Sequence, residues 1–264
     1  MCLLGIAWRM HPRFALVLIA NRDEFHARPA APLAPWPEPP GMFAGRDLQA
    51  GGTWLAVDRT QRLGVVTNFR ELQRPRRDAP SRGGIIPQYF AQPHPPGKFL
   101  RALKSHARAY AGFNVLLGDA HALWYASNRI GEFARPLPPG LYGLSNHVLD
   151  SPWPKLERTR VRLQRWLKAS RGDDADAAFP TLFEMLADRT PAEPDPALAG
   201  LPRDLEAAIS APFVVHPSYG TRCSTLVLID GTAAPPGVLH IAERRFDAAG
   251  ALAGVERFSL NPAP

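Results

Sequence analysis

The chain opens on two short apolar runs, Cys2 to Trp8 and Phe14 to Ala20, separated by the polar, proline-containing turn Met10-His11-Pro12-Arg13. Runs of this length bounded by turn signals read as a hairpin or as neighbouring strands. A stretch holding Pro29, Pro32, Pro35, Pro37, Pro39 and Pro40 follows. Without ladder donors at those positions it is expected to be an extended loop. Gly51-Gly52 introduces Thr53 to Asp58, and Arg62 to Thr67 completes another strand pair. Between Glu71 and Gly84, Arg74, Arg76, Arg77 and Arg82 with Pro75 and Pro80 read as a solvated basic loop.

Further on, Lys98 to Tyr110 has helical character, and Phe113 to Leu117 and Ala122 to Ala126 read as strands flanking a Gly118-Asp119 turn. The clearest helix begins at Ser151 as N-cap with Pro152 in its first turn and runs to about Ser170. Leu156, Leu163, Trp166 and Leu167 form its apolar stripe, while Lys155, Arg158, Arg162 and Arg165 are assigned to its solvated faces. Helical pieces are expected over Ala178 to Ala187 and Arg203 to Ile209, and strands over Thr225 to Ile229, Val238 to Ala242 and Val255 to Ser259. Strands at both ends with helices between them indicate an α+β protein of two packed sheets covered by helices. At 264 residues and 45% hydrophobic content, one domain spanning residues 1–264 is expected.

Composition narrows the classes only partly. A net charge of +7 suits nucleic acid, an acidic membrane surface or a small anion equally well. Nucleic-acid binding ranks last, because the arginine-rich loop carries no interleaved aromatics and no known module is present. Cys2 and Cys223 are the two cysteines and form no CxxC pair, which fits a reducing compartment. The opening MCLLGIAW lacks signal-peptide architecture and no apolar run approaches a membrane span, so cytoplasmic localisation with at most transient membrane contact is expected.

The candidate chemistry starts at Cys2. A cysteine in second position permits removal of Met1, and the mature chain would then carry a thiol beside a free α-amine whose ordinary pKa lies at about 7.7–8.0. Nucleophile and general base then come in one residue. Without supporting context the same cysteine is simply a small apolar residue opening a strand. The context is Asn21-Arg22-Asp23-Glu24, polar residues at the end of an apolar strand, where Arg22 and Asp23 can position a carbonyl and hold the amine of Cys2. Asn68 follows another apolar run and can offer an N–H to an oxyanion. Asn146 closes one run and Arg222 lies where a later strand opens.

Taken in order, MCLL, NRDE at 21–24, GGTWLAV at 51–57, GVVTNFR at 64–70, GLSN with SPWPK at 143–155 and YGTRCST at 219–225 resemble the NRDE, or transport-and-Golgi-organisation 2, family across almost the whole chain. That family is in turn similar to the N-terminal-nucleophile cysteine hydrolases, among them bile-salt hydrolases and penicillin V acylases. The resemblance implies a four-layer αββα sandwich, a nucleophile at Cys2 and supporting roles for Arg22 and Asp23. It further implies an oxyanion-hole role for Asn68, an active-site asparagine at Asn146 and a late arginine at Arg222. The implied reaction is hydrolysis of a non-peptide acyl-amide through a thioester, with no cofactor required and a small-molecule amide as partner.

The same family implies an alternative, a non-catalytic haem-trafficking or acyl-coenzyme A and lipid-binding protein whose pocket holds a hydrophobic anion. His11, His26, His94, His106, His147, His216 and Cys223 are its possible haem ligands, although no CxxCH motif is present.

Overall fold

The computed structural model describes residues 2–71, 78–170, 172–192, 202–231 and 237–262. The opening runs form β1 (Cys2–Trp8) and β2 (Phe14–Phe25), paired antiparallel. They lie inside a six-stranded sheet completed by β10 (Gly140–Leu144) on one side and by β11 (Tyr219–Asp230), β12 (Leu239–Phe246) and β13 (Leu252–Leu260) on the other. A second, seven-stranded antiparallel sheet runs through β3 (Ala30–Pro35), β4 (Phe43–Asp47), β5 (Leu55–Val57), β6 (Leu63–Asn68), β7 (Phe113–Gly118), β8 (Leu123–Ser127) and β9 (Ala134–Leu137).

Alternation along the strands explains how the sheets meet. Leu4, Ile6, Leu16 and Leu18 share one buried cluster with Leu55, Val57, Leu63, Val65 and Leu116 of the other sheet. Each such side chain contributes about 1.5–3 kcal/mol on full burial. The intervening residues face helices. Ala7, Val17 and Ile19 pack with α3 (Pro154–Ala169) and α4 (Ala175–Leu186). Ala56, Val66, Val115 and Leu117 pack with α1 (Ile85–Phe90) and α2 (Pro96–Lys104). A short α5 (Arg203–Ser210) seats Ile209 against Val214 and Tyr219. Close approach of α3 needs a glycine on β10, since a Cβ at Gly143 would lie 2.8 Å from Leu156.

Several expectations are corrected. The proline-rich stretch supplies β3, at the edge of its sheet, where proline is tolerated because an edge strand leaves one row of donors unused. β2 does not end at Ala20 but runs through Asn21-Arg22-Asp23-Glu24, because its pairing with β11 continues to Phe25 and the Asn21 and Asp23 side chains find buried partners. Asn21, for example, donates to the carbonyls of Leu186 and Pro212, both at 2.9 Å. The long helix starts at Pro154, since a residue before proline is pushed out of the helical region and Trp153 is extended at φ −75°, ψ 133°. Ser151 donates to the Val148 carbonyl at 2.7 Å instead of capping. Lys98 to Tyr110 resolves into α2 and a separate 3-10 turn at Ala107–Ala109. Of the expected basic loop, Arg74, Arg76 and Arg77 lie outside the described residues, whereas Arg82 begins a 3-10 turn, Arg82–Gly84.

A buried carboxyl ties the sheets together. Glu243 on β12 is 2% exposed, accepts the Leu33 N–H of β3 at 2.9 Å and the Thr225 hydroxyl at 3.4 Å. Burial raises its pKa above the ordinary 4.5. Between the ordinary and raised values the folded chain holds a proton that the unfolded chain has lost, so this stabilisation is full below about pH 4.5 and disappears as pH rises through the raised value. Glu243→Gln keeps an acceptor for Leu33 and removes the titration. Thermal melts should therefore show the variant gaining on the wild type as pH rises from 4 to 8. A Tm difference that is flat with pH would contradict this assignment.

Candidate active site

Cys2 opens β1 directly opposite Arg22 of β2. Its half-buried thiol borders a cleft of about 290 Å³ between the sheet edges, lined also by Arg22, Asp23, Trp54, Asn68 and Arg82. The segment following β10 holds the backbone of Cys2. The main-chain nitrogen of Cys2 donates to Asn146 Oδ1 at 3.0 Å, and Asn146 Nδ2 donates to the Asn68 carbonyl at 2.8 Å. The Ser145 hydroxyl donates to the Cys2 carbonyl at 2.7 Å, and the Arg70 N–H donates to the Asn146 carbonyl at 2.7 Å. One asparagine thus joins the first strand of one sheet to the end of β6 in the other.

Asp23 is 2% exposed, accepts the Thr221 hydroxyl through Oδ1 at 2.7 Å, and through its carbonyl accepts the Tyr219 hydroxyl at 2.7 Å. Burial raises its pKa; the charges of Lys155 and Arg22 and the Thr221 hydrogen bond oppose that rise. Lys155, assigned to a solvated face, is in fact 4% exposed, with Nζ donating to the Ile209 carbonyl at 2.8 Å. Burial lowers its pKa, while the negative charge of Asp23 and of a Cys2 thiolate favours its ionised form. Its neighbour Leu156 and, one turn on, Thr159 are buried too, so the burial of Lys155 was signalled by its place on the inward side of the helix. For Cys2, burial raises the thiol pKa, Asp23 and Glu24 add to the rise, and Arg22 opposes it. A thiol so placed is protonated at rest and needs a base to attack.

Arg22 is 7% exposed, its guanidinium stacked over Trp54 at 4.2 Å, and its Nη1 makes no hydrogen bond among the described residues. Asn68 is exposed at the rim of the cleft. Arg222 is not brought in. It is the extra residue of a bulge between Thr221, opposite Asp23, and Cys223, opposite Arg22. Its Nη1 instead donates to the carbonyls of Phe25 at 3.2 Å and His26 at 2.9 Å, bracing the turn beyond β2. Trp54, Arg82, Ser145, Thr221 and Lys155 complete the surroundings of the site and were not singled out as functional from sequence. Trp54 and Thr221 stood inside the matched segments, so their positions, though not their contacts, were legible.

No histidine is among the residues lining the cleft, and no group of three or more metal-capable side chains occurs among the described residues. Cys223 is buried, with burial and the neighbouring Glu243 holding its pKa well above the usual thiol range. His147 is engaged by the Ser151 hydroxyl at 2.9 Å and packs against Phe69 and Trp153.

Comparison with known proteins follows this geometry. The Transport and Golgi organization protein 2 homolog of Bos taurus is 31% identical over 246 residues, covering 87% of this chain and 89% of its own. Transport and Golgi organization protein 2 of Drosophila melanogaster is 25% identical over 260 residues, covering 87% and 88%. A solved structure, the Caenorhabditis elegans N-acylethanolamine-hydrolyzing acid amidase ortholog, aligns over 89% of this chain and 95% of its own with a TM-score of 0.41 and 11% identity. Residues 1–248 match the family described as Transport and Golgi organisation 2, and the chain belongs to that family.

Proposed function

We propose that this chain is an N-terminal-nucleophile amidohydrolase acting on a small acyl-amide through Cys2. The observation that carries the reading is the seating of Cys2: its main-chain nitrogen is held by Asn146 Oδ1 at 3.0 Å while its thiol borders the cleft that Arg22, Asp23 and Asn68 also line. In a protein where Cys2 only opened a strand, neither a buried carboxylate nor an orphaned guanidinium would be needed at that strand end. On this reading the two sheets with α1 and α2 outside one and α3 and α4 outside the other form the four-layer αββα sandwich of such enzymes. Cys2 and Cys223 as free thiols suit a cytoplasmic setting. Among the described residues no helix is long and apolar enough to cross a membrane.

With Met1 removed, the Cys2 α-amine takes the thiol proton as sulfur attacks the amide carbonyl carbon, forming the S–C bond and an oxyanion. Asn68 and a backbone N–H stabilise that oxyanion, and Asp23 and Asn146 hold the resulting ammonium. Collapse breaks the C–N bond, and the leaving amine takes the proton from the ammonium. The amine then deprotonates a water that attacks the thioester, giving a carboxylic acid and restoring the thiol. No cofactor enters. The carrier reading, haem or acyl-coenzyme A in the same cleft, has less behind it, because the lining offers no histidine and three of its side chains are carboxylates, which would repel propionates or phosphates.

Two outcomes follow. Intact-mass measurement of native protein should find chains beginning at Cys2; active protein that quantitatively retains Met1 would contradict the mechanism, since the base would be locked in a peptide bond. Screened against short acyl-amides, Cys2→Ala should lower kcat by about 10³-fold or more while still binding substrate, and Asn68→Ala by about 10²–10³-fold. Amide turnover that survives Cys2→Ala, or saturable haem binding without any amide turnover, would favour the alternatives.

A further inference from the structure

The cleft is lined by three arginines and three carboxylates, but these do not pair one to one. Arg28 is neutralised, with Nη2 2.7 Å from Asp47 Oδ2 and Nε 3.9 Å from Glu24. Asp23 is served by the Thr221 hydroxyl and by the charge of Lys155. Glu71, which faces Arg82, is taken up by Arg129 at 2.5 Å and by the Gly112 N–H at 2.9 Å. Arg22 and Arg82 are left with no ion pair to a carboxylate among the described residues. Arg22 has a bare, buried Nη1, and Arg82 spends one donor on the Gly112 carbonyl at 3.0 Å. Both guanidiniums line the cleft beside the Cys2 thiol.

Their placement is built rather than incidental. The backbone of Gly52 lies against that of Gly83, so that a Cβ at Gly52 would come within 2.4 Å of the Gly83 carbonyl carbon, and the Thr53 N–H donates to the Gly83 oxygen at 3.1 Å. This fixes the turn that carries Arg82. The next residue, Trp54, is the platform under Arg22. The Gly52-Thr53-Trp54 segment therefore aims both unneutralised arginines. Two arginines that line one cleft with no carboxylate paired to either favour an anionic ligand, and a planar guanidinium suits a carboxylate better than an ammonium would.

We infer that the substrate of this site carries a carboxylate, held by Arg82 together with Arg22, so that the hydrolase acts on a small amide bearing a free acid and not on a neutral one. The inference rests on the proposed hydrolase reading for its word "substrate", but the anion site itself does not. A cleft of about 290 Å³ has room for a small molecule. The acid belongs either to the amine portion, as in an N-acyl amino acid, or to the acyl portion, as in the half-amide of a dicarboxylic acid.

The test measures binding, by calorimetry on the full-length Cys2→Ala protein, of N-butanoylglycine, its methyl ester and N-propylsuccinamic acid. At least one acid should bind about 10-fold or more tighter than the ester, with an affinity that falls as salt is raised. Arg82→Ala in the same background should erase the preference for the acid while leaving ester binding unchanged, and Arg82→Lys should restore part of it. Equal binding of acids and ester, or loss of both on Arg82→Ala in a protein whose melting temperature is unaltered, would overturn the inference. An acid that binds in this Arg82-dependent way but is not hydrolysed by the wild type would leave the anion site standing and count against the hydrolase reading alone.

Discussion

The side chain of Asn146 is the contact on which the arrangement of the site depends. Its amide accepts from the nitrogen of Cys2 and donates to the carbonyl of Asn68, joining strands of different sheets. A side chain with a donor and an acceptor fixed about one carbon can do both. Asn146 is 1% exposed, so losing either bond would strand a polar group away from water at a cost of about 1–3 kcal/mol. Neighbouring bonds reinforce it: Thr67 donates to the Ser145 carbonyl at 3.2 Å and Ser145 donates back to Cys2. This short polar bridge joins the sheets beside the cleft, where Cys2 and Trp54 also pack against the apolar cluster between them.

Around that bridge the charged groups divide into two sets. Asp23 and Lys155 are both buried, each favouring the ionised form of the other against its own desolvation. Such a pair is costly to assemble and is retained where it fixes an orientation. Here it lies beneath the end of β1, next to the nitrogen and thiol of Cys2. The second set, Arg22 and Arg82, is oriented by stacking on Trp54 and by glycine-to-glycine contact, with no carboxylate to neutralise it. One set lies beside Cys2, and the other lines the cleft.

Much of this was legible in the order of residues. β1 coincides with the run from Cys2 to Trp8, and strands at both ends with helices between them pointed to two packed sheets. What escaped depended on distant partners. Nothing local says that Asn21 and Asp23 will be satisfied by β11 and by the end of α4, so a polar run looked like a strand end. The prolines of β3 looked like a loop because an edge is defined only once the sheet exists. Lys155 looked solvated because its acidic partner is more than a hundred residues away in sequence, even though its neighbour Leu156 marked the inward side of the helix. Arg222 looked like a member of the site because a one-residue bulge, which redirects a side chain, leaves no mark in the hydrophobic pattern. Cys2, Arg22, Asp23, Asn68 and Asn146 do meet at one place, and all five fall in segments that the family resemblance picked out.

The central claim is that Cys2, held by Asn146, carries an acyl group between amide and water. Partitioning with hydroxylamine tests it without requiring the intermediate to accumulate. Amides sharing one acyl group but differing in amine are hydrolysed in a fixed concentration of hydroxylamine, and the ratio of hydroxamate to free acid is measured. A common acyl-enzyme predicts the same ratio whatever the amine, because the amine has left before the nucleophiles compete. A ratio that changes with the leaving amine, or hydrolysis that yields no hydroxamate, would contradict the account.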